Sequence, residues 1–123
     1  MKASVANLLS KLPGPQTRRW PQGERFTQAL AHGSMTVELY APVGCDPQTP
    51  HGQDELYFIH SGTGEILIGA QRYACTNGDV FFVPAGVEHR FENFSGDFVT
   101  WVVFWGPEGG EPEDTKTHTL TKI

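Results

Sequence analysis

The sequence predicts a single all-β domain, and three observations support that prediction. The chain has 123 residues, which is close to the commonest size of one domain and long enough to bury a core. Fourteen glycines and nine prolines mark many turns, and fourteen aromatic residues (8 Phe, 3 Trp, 3 Tyr) accompany them. Charged residues make up 19% of the chain, below the usual quarter, which disfavours long solvated helices and extended disorder.

The predicted elements are short strands separated by turns. Residues 7–12 are expected to form a short helix that ends at Pro13, because proline cannot continue a helix. A loop rich in proline and glycine is expected over residues 42–50. The pattern predicts strands over residues 24–31, 34–41, 55–60, 65–69, 72–75, 80–83, 89–92 and 98–105. This succession is typical of a sandwich, a jelly roll or a small barrel.

Composition divides the chain into three parts. Residues 1–19 are interpreted as an N-terminal arm, and residues 20–107 as the β-domain. Residues 108–123 are polar and lack aromatic side chains, so we expect a C-terminal tail with an edge strand over residues 117–121.

Charge and cysteine content narrow the expected partners and compartment. The formal net charge is −5, and the densest basic patch is Arg18-Arg19, which argues against nucleic acid or an anionic membrane as a partner. The sequence lacks an apolar stretch long enough for a membrane span, and its first residues lack a secretory apolar region. Cys45 and Cys75 are expected to be reduced thiols. These features predict a cytoplasmic protein.

Several polar residues fall on one face near the predicted strand at 55–60. Side chains two residues apart share a face of a strand. If the strand extends back through Pro50, one face carries Thr49, His51, Gln53, Glu55 and Tyr57. A second imidazole, His89, begins another predicted strand after a turn. Two imidazoles and a carboxylate are ligands for Fe, Mn, Ni, Cu or Zn ions. The alternative is that these residues form a hydrogen-bonded polar cluster without a metal at the mouth of a barrel.

The spacing G-x5-P-x-G-x2-H-x3-N is met at every fixed position, by Gly78, Pro84, Gly86, His89 and Asn93. This is the second motif of the cupin superfamily, so the chain resembles that superfamily. The resemblance covers residues 34–105 and implies a double-stranded β-helix, or jelly-roll, barrel with its site inside the mouth. Cupins of this size are often dimers, and both faces of the strand at 98–105 are apolar. We therefore expect a homodimer.

The first cupin motif, G-x5-H-x-H-x3/4-E-x6-G, is met only in part. His51 takes the place of its second histidine, Glu55 that of the glutamate and Gly62 that of the closing glycine. Thr49 stands where the first histidine is usual, and Gln48 stands one residue earlier. The resemblance therefore implies a divalent transition metal on His51, Glu55 and His89. Gln53 or water would then offer a further oxygen.

Two classes of function follow from this resemblance. In the first, the chain is a metal-dependent enzyme of the dioxygenase, isomerase or decarboxylase type that acts on a small organic substrate. Gln53 and Tyr57 would then be catalytic residues that orient the substrate, and Tyr57 could pass a proton. In the second, the chain is a non-catalytic barrel that binds or senses a small molecule at a degenerate metal site. A third hypothesis, metal-free sugar isomerisation by His51 and Tyr57, ranks lowest because few basic residues are available to bind a diphosphate.

Overall fold

A computed structural model describes residues 1–113, which form one short helix and eight strands. The predicted edge strand at 117–121 lies outside the described residues. The elements are α1 (Val5–Leu9), β1 (Phe26–His32), β2 (Met35–Tyr40), β3 (Asp54–Ser61), β4 (Thr63–Ile68), β5 (Gln71–Thr76), β6 (Val80–Val83), β7 (His89–Glu92) and β8 (Val99–Trp105).

The strands form two antiparallel sheets that enclose the core. One sheet has the order β1-β2-β8-β3-β6 and the other the order β5-β4-β7. Alternation along β3 shows which side faces inward, since Glu55, Tyr57 and Ile59 are buried whereas Phe58 and His60 are exposed. Neighbouring strands are mostly distant in sequence, as in a jelly roll. The prediction of an all-β jelly-roll barrel is confirmed.

The main core lies between the sheets. Tyr57 of β3 packs edge-on against Phe91 of β7, with ring centroids 4.8 Å apart, and Phe91 in turn contacts Phe98. Ile66 of β4 and Val102 of β8 belong to the same buried cluster. Aromatic pairs in this geometry contribute beyond the area they bury, so the Tyr57–Phe91 contact helps to hold the two sheets together.

The N-terminal arm packs against the barrel. Leu8 of α1 is only 3% exposed and forms a second buried cluster with Leu39, Ala41 and Val99. The helix ends at Leu9, and turn hydrogen bonds continue the coil as far as Leu12. The sequence predicted this helix over residues 7–12, a few residues too late. Its docking covers part of the outer face of the larger sheet.

Another part of that outer face is apolar and uncovered. Phe58 of β3 and Val80 and Phe82 of β6 are between 39% and 52% exposed, and the pairs Leu56–Phe82 and Phe58–Val80 place these side chains together. This surface is a candidate contact for a second copy, in line with the predicted homodimer, which stays a prediction. Within residues 1–113, the structure has no helix of the length and apolarity that crossing a membrane requires.

Candidate metal centre

Glu55 and His89 meet between the two sheets. Glu55 projects inward from β3, and His89 is the first residue of β7 in the opposite sheet. His89 Nε2 lies 2.7 Å from Glu55 Oε1, and each side chain is 1% exposed. The turn before β7 aims His89 inward, with Gly86 in a left-handed conformation (φ 77°) that suits glycine.

His51 completes a cluster whose potential ligand atoms all lie within 4.8 Å of one another. It reaches the site from the loop before β3 rather than from an extended strand, since β3 begins only at Asp54. The backbone holds it there, because Gly86 N donates a 2.8 Å hydrogen bond to His51 O. The His51 ring packs edge-on against Phe104 at 4.9 Å. The structure thus brings together the three ligands that the resemblance implied.

The buried polar atoms at this point fit a cation. Both carboxylate oxygens of Glu55 and the Nε2 atom of His89 are inaccessible to solvent, and none makes a hydrogen bond of acceptable geometry, despite the 2.7 Å approach. A buried, uncompensated carboxylate costs several kcal/mol, on the order of the penalty for any desolvated ion. These oxygen and nitrogen atoms converge but do not form hydrogen bonds to one another. A metal ion bound between them would satisfy their lone pairs.

The tautomer of His89 strengthens this conclusion. Its Nδ1 atom lies 2.8 Å from the carbonyl oxygen of Val87, so Nδ1 carries the hydrogen and donates. In the neutral ring, Nε2 then presents a lone pair toward the Glu55 carboxylate. Two acceptors face each other, and only a proton or a cation between them relieves the repulsion. A histidine whose second nitrogen donates to a backbone carbonyl is the usual form of a metal ligand.

The two histidines differ in electrostatic environment. Burial lowers the pKa of His89, but the Glu55 carboxylate and the Val87 carbonyl raise it more, so the net pKa lies above the ordinary value. The pKa of His51 is lowered, chiefly by burial, with His89 adding to the effect and Glu55 opposing it. His51 is therefore held neutral, the form in which imidazole binds metals.

The side chain that borders the cluster from the loop before β3 is that of Gln48 and not that of Thr49. Thr49 turns away from the cluster, and its hydroxyl is 3.4 Å from Arg19 Nη1. Gln48 Oε1 instead lies 3.1 Å from His51 Nε2 and accepts a 3.0 Å hydrogen bond from the Tyr57 hydroxyl. The sequence suggested Gln53 as the source of a further oxygen beside the ligand cluster. In the structure, the oxygen that lies beside the cluster is the side-chain carbonyl oxygen of Gln48.

The two predicted catalytic residues lie in different surroundings. Tyr57 is fully buried beside the cluster, and burial followed by the Glu55 charge raises its pKa well above the usual value. Gln53 donates to the carbonyl oxygens of Ser34 and Gly106, 3.1 and 2.8 Å away. Its amide therefore spans two backbone segments, and a substrate-orienting role for Gln53 stays a prediction.

Asp46 is a polar residue of this region that sequence reasoning missed. It is 8% exposed, and its carboxylate accepts hydrogen bonds from the Tyr40 hydroxyl, from Phe91 N at 2.8 Å and from Gln48 Nε2 at 2.6 Å. An aspartate in a loop with several prolines is typical of a turn, so the pattern gave no signal of a buried role.

Comparison with known proteins agrees with this geometry. Residues 36–105 match the Cupin_2 family, described as the cupin domain. This chain belongs to the cupin family. In this barrel, the candidate ligands Glu55 and His89 come from facing sheets. The resemblance to cupins that was inferred from the motif at Gly78–Asn93 is confirmed.

Individual relatives agree with the cupin assignment. An uncharacterized protein of Streptomyces coelicolor, SCO3923, is 44% identical over 85 residues, covering 68% of this chain and 81% of that protein. The transcriptional activator RhaS of Pectobacterium carotovorum is 30% identical over 76 residues, covering 62% of this chain but only 27% of RhaS.

Solved structures share the fold at low sequence identity. The Cupin 2 conserved barrel domain protein of Salinispora arenicola has a TM-score of 0.57 and 18% identity, covering 66% of this chain and 74% of that one. KdgF from a Halomonas species has a TM-score of 0.58 and 13% identity, covering 65% and 76% of the two chains.

Proposed function

We propose that this cupin is a metal-dependent enzyme that acts on a small organic molecule at the His51, Glu55 and His89 cluster. The observation that carries the proposal is the buried pair of Glu55 and His89, whose facing acceptor atoms lack hydrogen-bond partners. Maintaining such a pair costs stability, so its presence supports a role beyond folding. The metal is one that nitrogen and carboxylate ligands favour: Fe, Mn, Ni, Cu or Zn.

Each ligand has a distinct function in this proposal. Glu55 supplies the negative charge, and His51 supplies a nitrogen that its lowered pKa keeps neutral. The pKa of His89 is raised by Glu55, so His89 would release its Nε2 proton when it binds the metal. A cation held by these residues would supply Lewis-acid polarisation of a substrate oxygen, or electron transfer if the ion is redox-active. Dioxygenase-, isomerase- and decarboxylase-type reactions all use such a centre, and the fold does not choose among them.

Tyr57 and Gln48 shape the polar side of the site. The raised pKa keeps the Tyr57 phenol protonated at neutral pH, so it acts as a hydrogen-bond donor and not as a base. In the structure that donor is directed at Gln48 Oε1. A substrate oxygen that replaced this acceptor would receive the hydrogen bond, which gives Tyr57 an orienting role next to the ligands.

A cobalt titration tests the proposal. Metal-free protein titrated with Co²⁺ should bind about one ion per chain, and adding acetohydroxamate, a small oxygen-donor probe, should change the visible spectrum if coordination positions are open. His89→Ala should lose both signals. His60→Ala is the matched control, because His60 lies on the exposed side of the same strand as Glu55. Equal binding by the two variants would contradict the assigned ligands.

A second candidate function is a non-catalytic barrel that senses a small molecule. The observation that favours it is the 30% identity to part of a transcriptional activator, RhaS. In that case a metabolite should raise the melting temperature of the protein by mass action, and a chelator should leave the melting temperature unchanged. A loss of several degrees on chelation would favour the enzyme.

A further inference from the structure

Asp46 is a buried carboxylate that the proposed chemistry does not use. It lies in the loop between β2 and β3, and among residues 1–113 no cationic side chain lies within ion-pair distance of it. Its charge is stabilised instead by four donors: the Tyr40 hydroxyl, the Phe91 amide, and the backbone and side-chain amides of Gln48. Burying a carboxylate without a cation is costly, so the burial of Asp46 suggests that its charge has a role at the site.

The chemistry of the groups determines which way the Gln48 amide points. A carboxylate only accepts hydrogen bonds, so the NH₂ end of the amide must face Asp46, and it does so at 2.6 Å. The carbonyl oxygen consequently faces the cluster, where it lies near Tyr57 and His51. The reversed amide would set its oxygen against the carboxylate and its hydrogens toward the ligands.

We infer that Asp46 is a positioning residue of the centre: acting through Gln48, it keeps a carbonyl oxygen, and not an amide NH₂, directed at the ligand cluster. The inference rests on the proposed function for its consequence and on the hydrogen bonds for its geometry. Because Gln48 Oε1 accepts from the ring, His51 carries its hydrogen on Nε2 in the metal-free protein. Amide hydrogens at the same place would repel any cation that the cluster binds.

The first test uses the metal-free protein, so it does not depend on metal binding. Ring ¹⁵N chemical shifts at pH 8 should place the His51 hydrogen on Nε2 in the wild type. Asp46→Ala removes the carboxylate that holds the Gln48 NH₂ group, which lets the amide reverse and should shift the His51 hydrogen toward Nδ1. Asp54→Ala is the matched control, because Asp54 is also buried and accepts two backbone N–H groups. An unchanged His51 tautomer in Asp46→Ala would overturn the inference.

The second test measures Co²⁺ affinity by calorimetry. Loss of an outer partner of a metal centre typically weakens affinity about 10–100-fold, and we expect a loss in this range for Asp46→Ala but wild-type affinity for Asp54→Ala. Equal affinities in Asp46→Ala and wild type, or equal losses in both variants, would refute the positioning role. If the wild type bound no Co²⁺, the proposed function would fail, and the tautomer measurement would still decide the role of Asp46.

A second variant keeps the test decisive if Asp46→Ala fails to fold. Gln48→Met retains the length of the side chain and leaves Asp46 intact, but it removes the amide. It should release the His51 tautomer and weaken Co²⁺ binding in the same way. A wild-type tautomer together with wild-type affinity in Gln48→Met would show that the Asp46–Gln48 pair does not position the centre.

Discussion

Replacing Glu55 with glutamine should stabilise the metal-free protein while weakening its affinity for metal. Glu55 is 1% exposed and both of its oxygens lack hydrogen bonds. An unsatisfied buried group costs about 1–3 kcal/mol, and more if it is charged. In Glu55→Gln the new NH₂ group can donate to His89 Nε2, while His89 Nδ1 continues to donate to Val87 O. At a pH above the raised pKa of His89, where the ring is neutral and cannot donate to Glu55, we therefore expect the metal-free variant to gain about 1–3 kcal/mol in unfolding free energy.

Urea unfolding in the presence of a chelator measures this gain directly. A chain of this size shifts its melting temperature by about 4 °C per kcal/mol, so thermal unfolding should rise by several degrees. With Zn²⁺ at a thousand times its dissociation constant, the wild type should gain about 4 kcal/mol and the order of stability should reverse. Asp54→Asn is the control and should lose stability, because Asp54 is hydrogen-bonded. A metal-free Glu55→Gln protein less stable than the wild type would refute the reasoning.

Three further predictions concern the rest of the molecule. Leu8→Ala should lower the unfolding free energy by about 2–4 kcal/mol, because it leaves a cavity where α1 docks; a loss below about 0.5 kcal/mol would mean that the arm is not packed. A thiol reagent at pH 8 should label the exposed Cys45 and leave Cys75 unlabelled, because Cys75 is buried and burial raises its pKa to about 11. Labelling of both thiols in the native protein would contradict the burial of Cys75. Analytical ultracentrifugation should find a dimer that Phe82→Lys dissociates, since Phe82 is 50% exposed; an unchanged dimer in that variant would place the interface elsewhere.

The fold could be predicted because its signals are local. Alternation in β3 and the turn residues before β7 are visible in the sequence, and the motif that contains His89 adds the topology. The helix was predicted to start two residues too late. Pro13 indicates where the helical turns must end, but it gives no signal for where the helix starts. Its docking depends on the distant residues Leu39 and Val99, which no local pattern connects to Leu8.

The candidate site was predictable in its ligands but not in its surroundings. Parity along the chain grouped Gln53 with Glu55, but the segment before Asp54 is not a regular strand, so parity does not govern which side chains face the cluster. Gln48 enters the site through the conformation of the proline-containing loop. Asp46 is tied to Phe91, 45 residues away, and such a contact is fixed by tertiary packing alone.

Elemental analysis of untagged protein, beside a His51→Ala/His89→Ala double variant, tests the central claim most directly. The account predicts about one equivalent of Fe, Mn, Ni, Cu or Zn per chain in the wild type, and loss of that metal in the variant, because the variant removes two of the three clustered ligands. Equal metal content in both proteins, or no metal in the wild type after incubation with each ion, would contradict it.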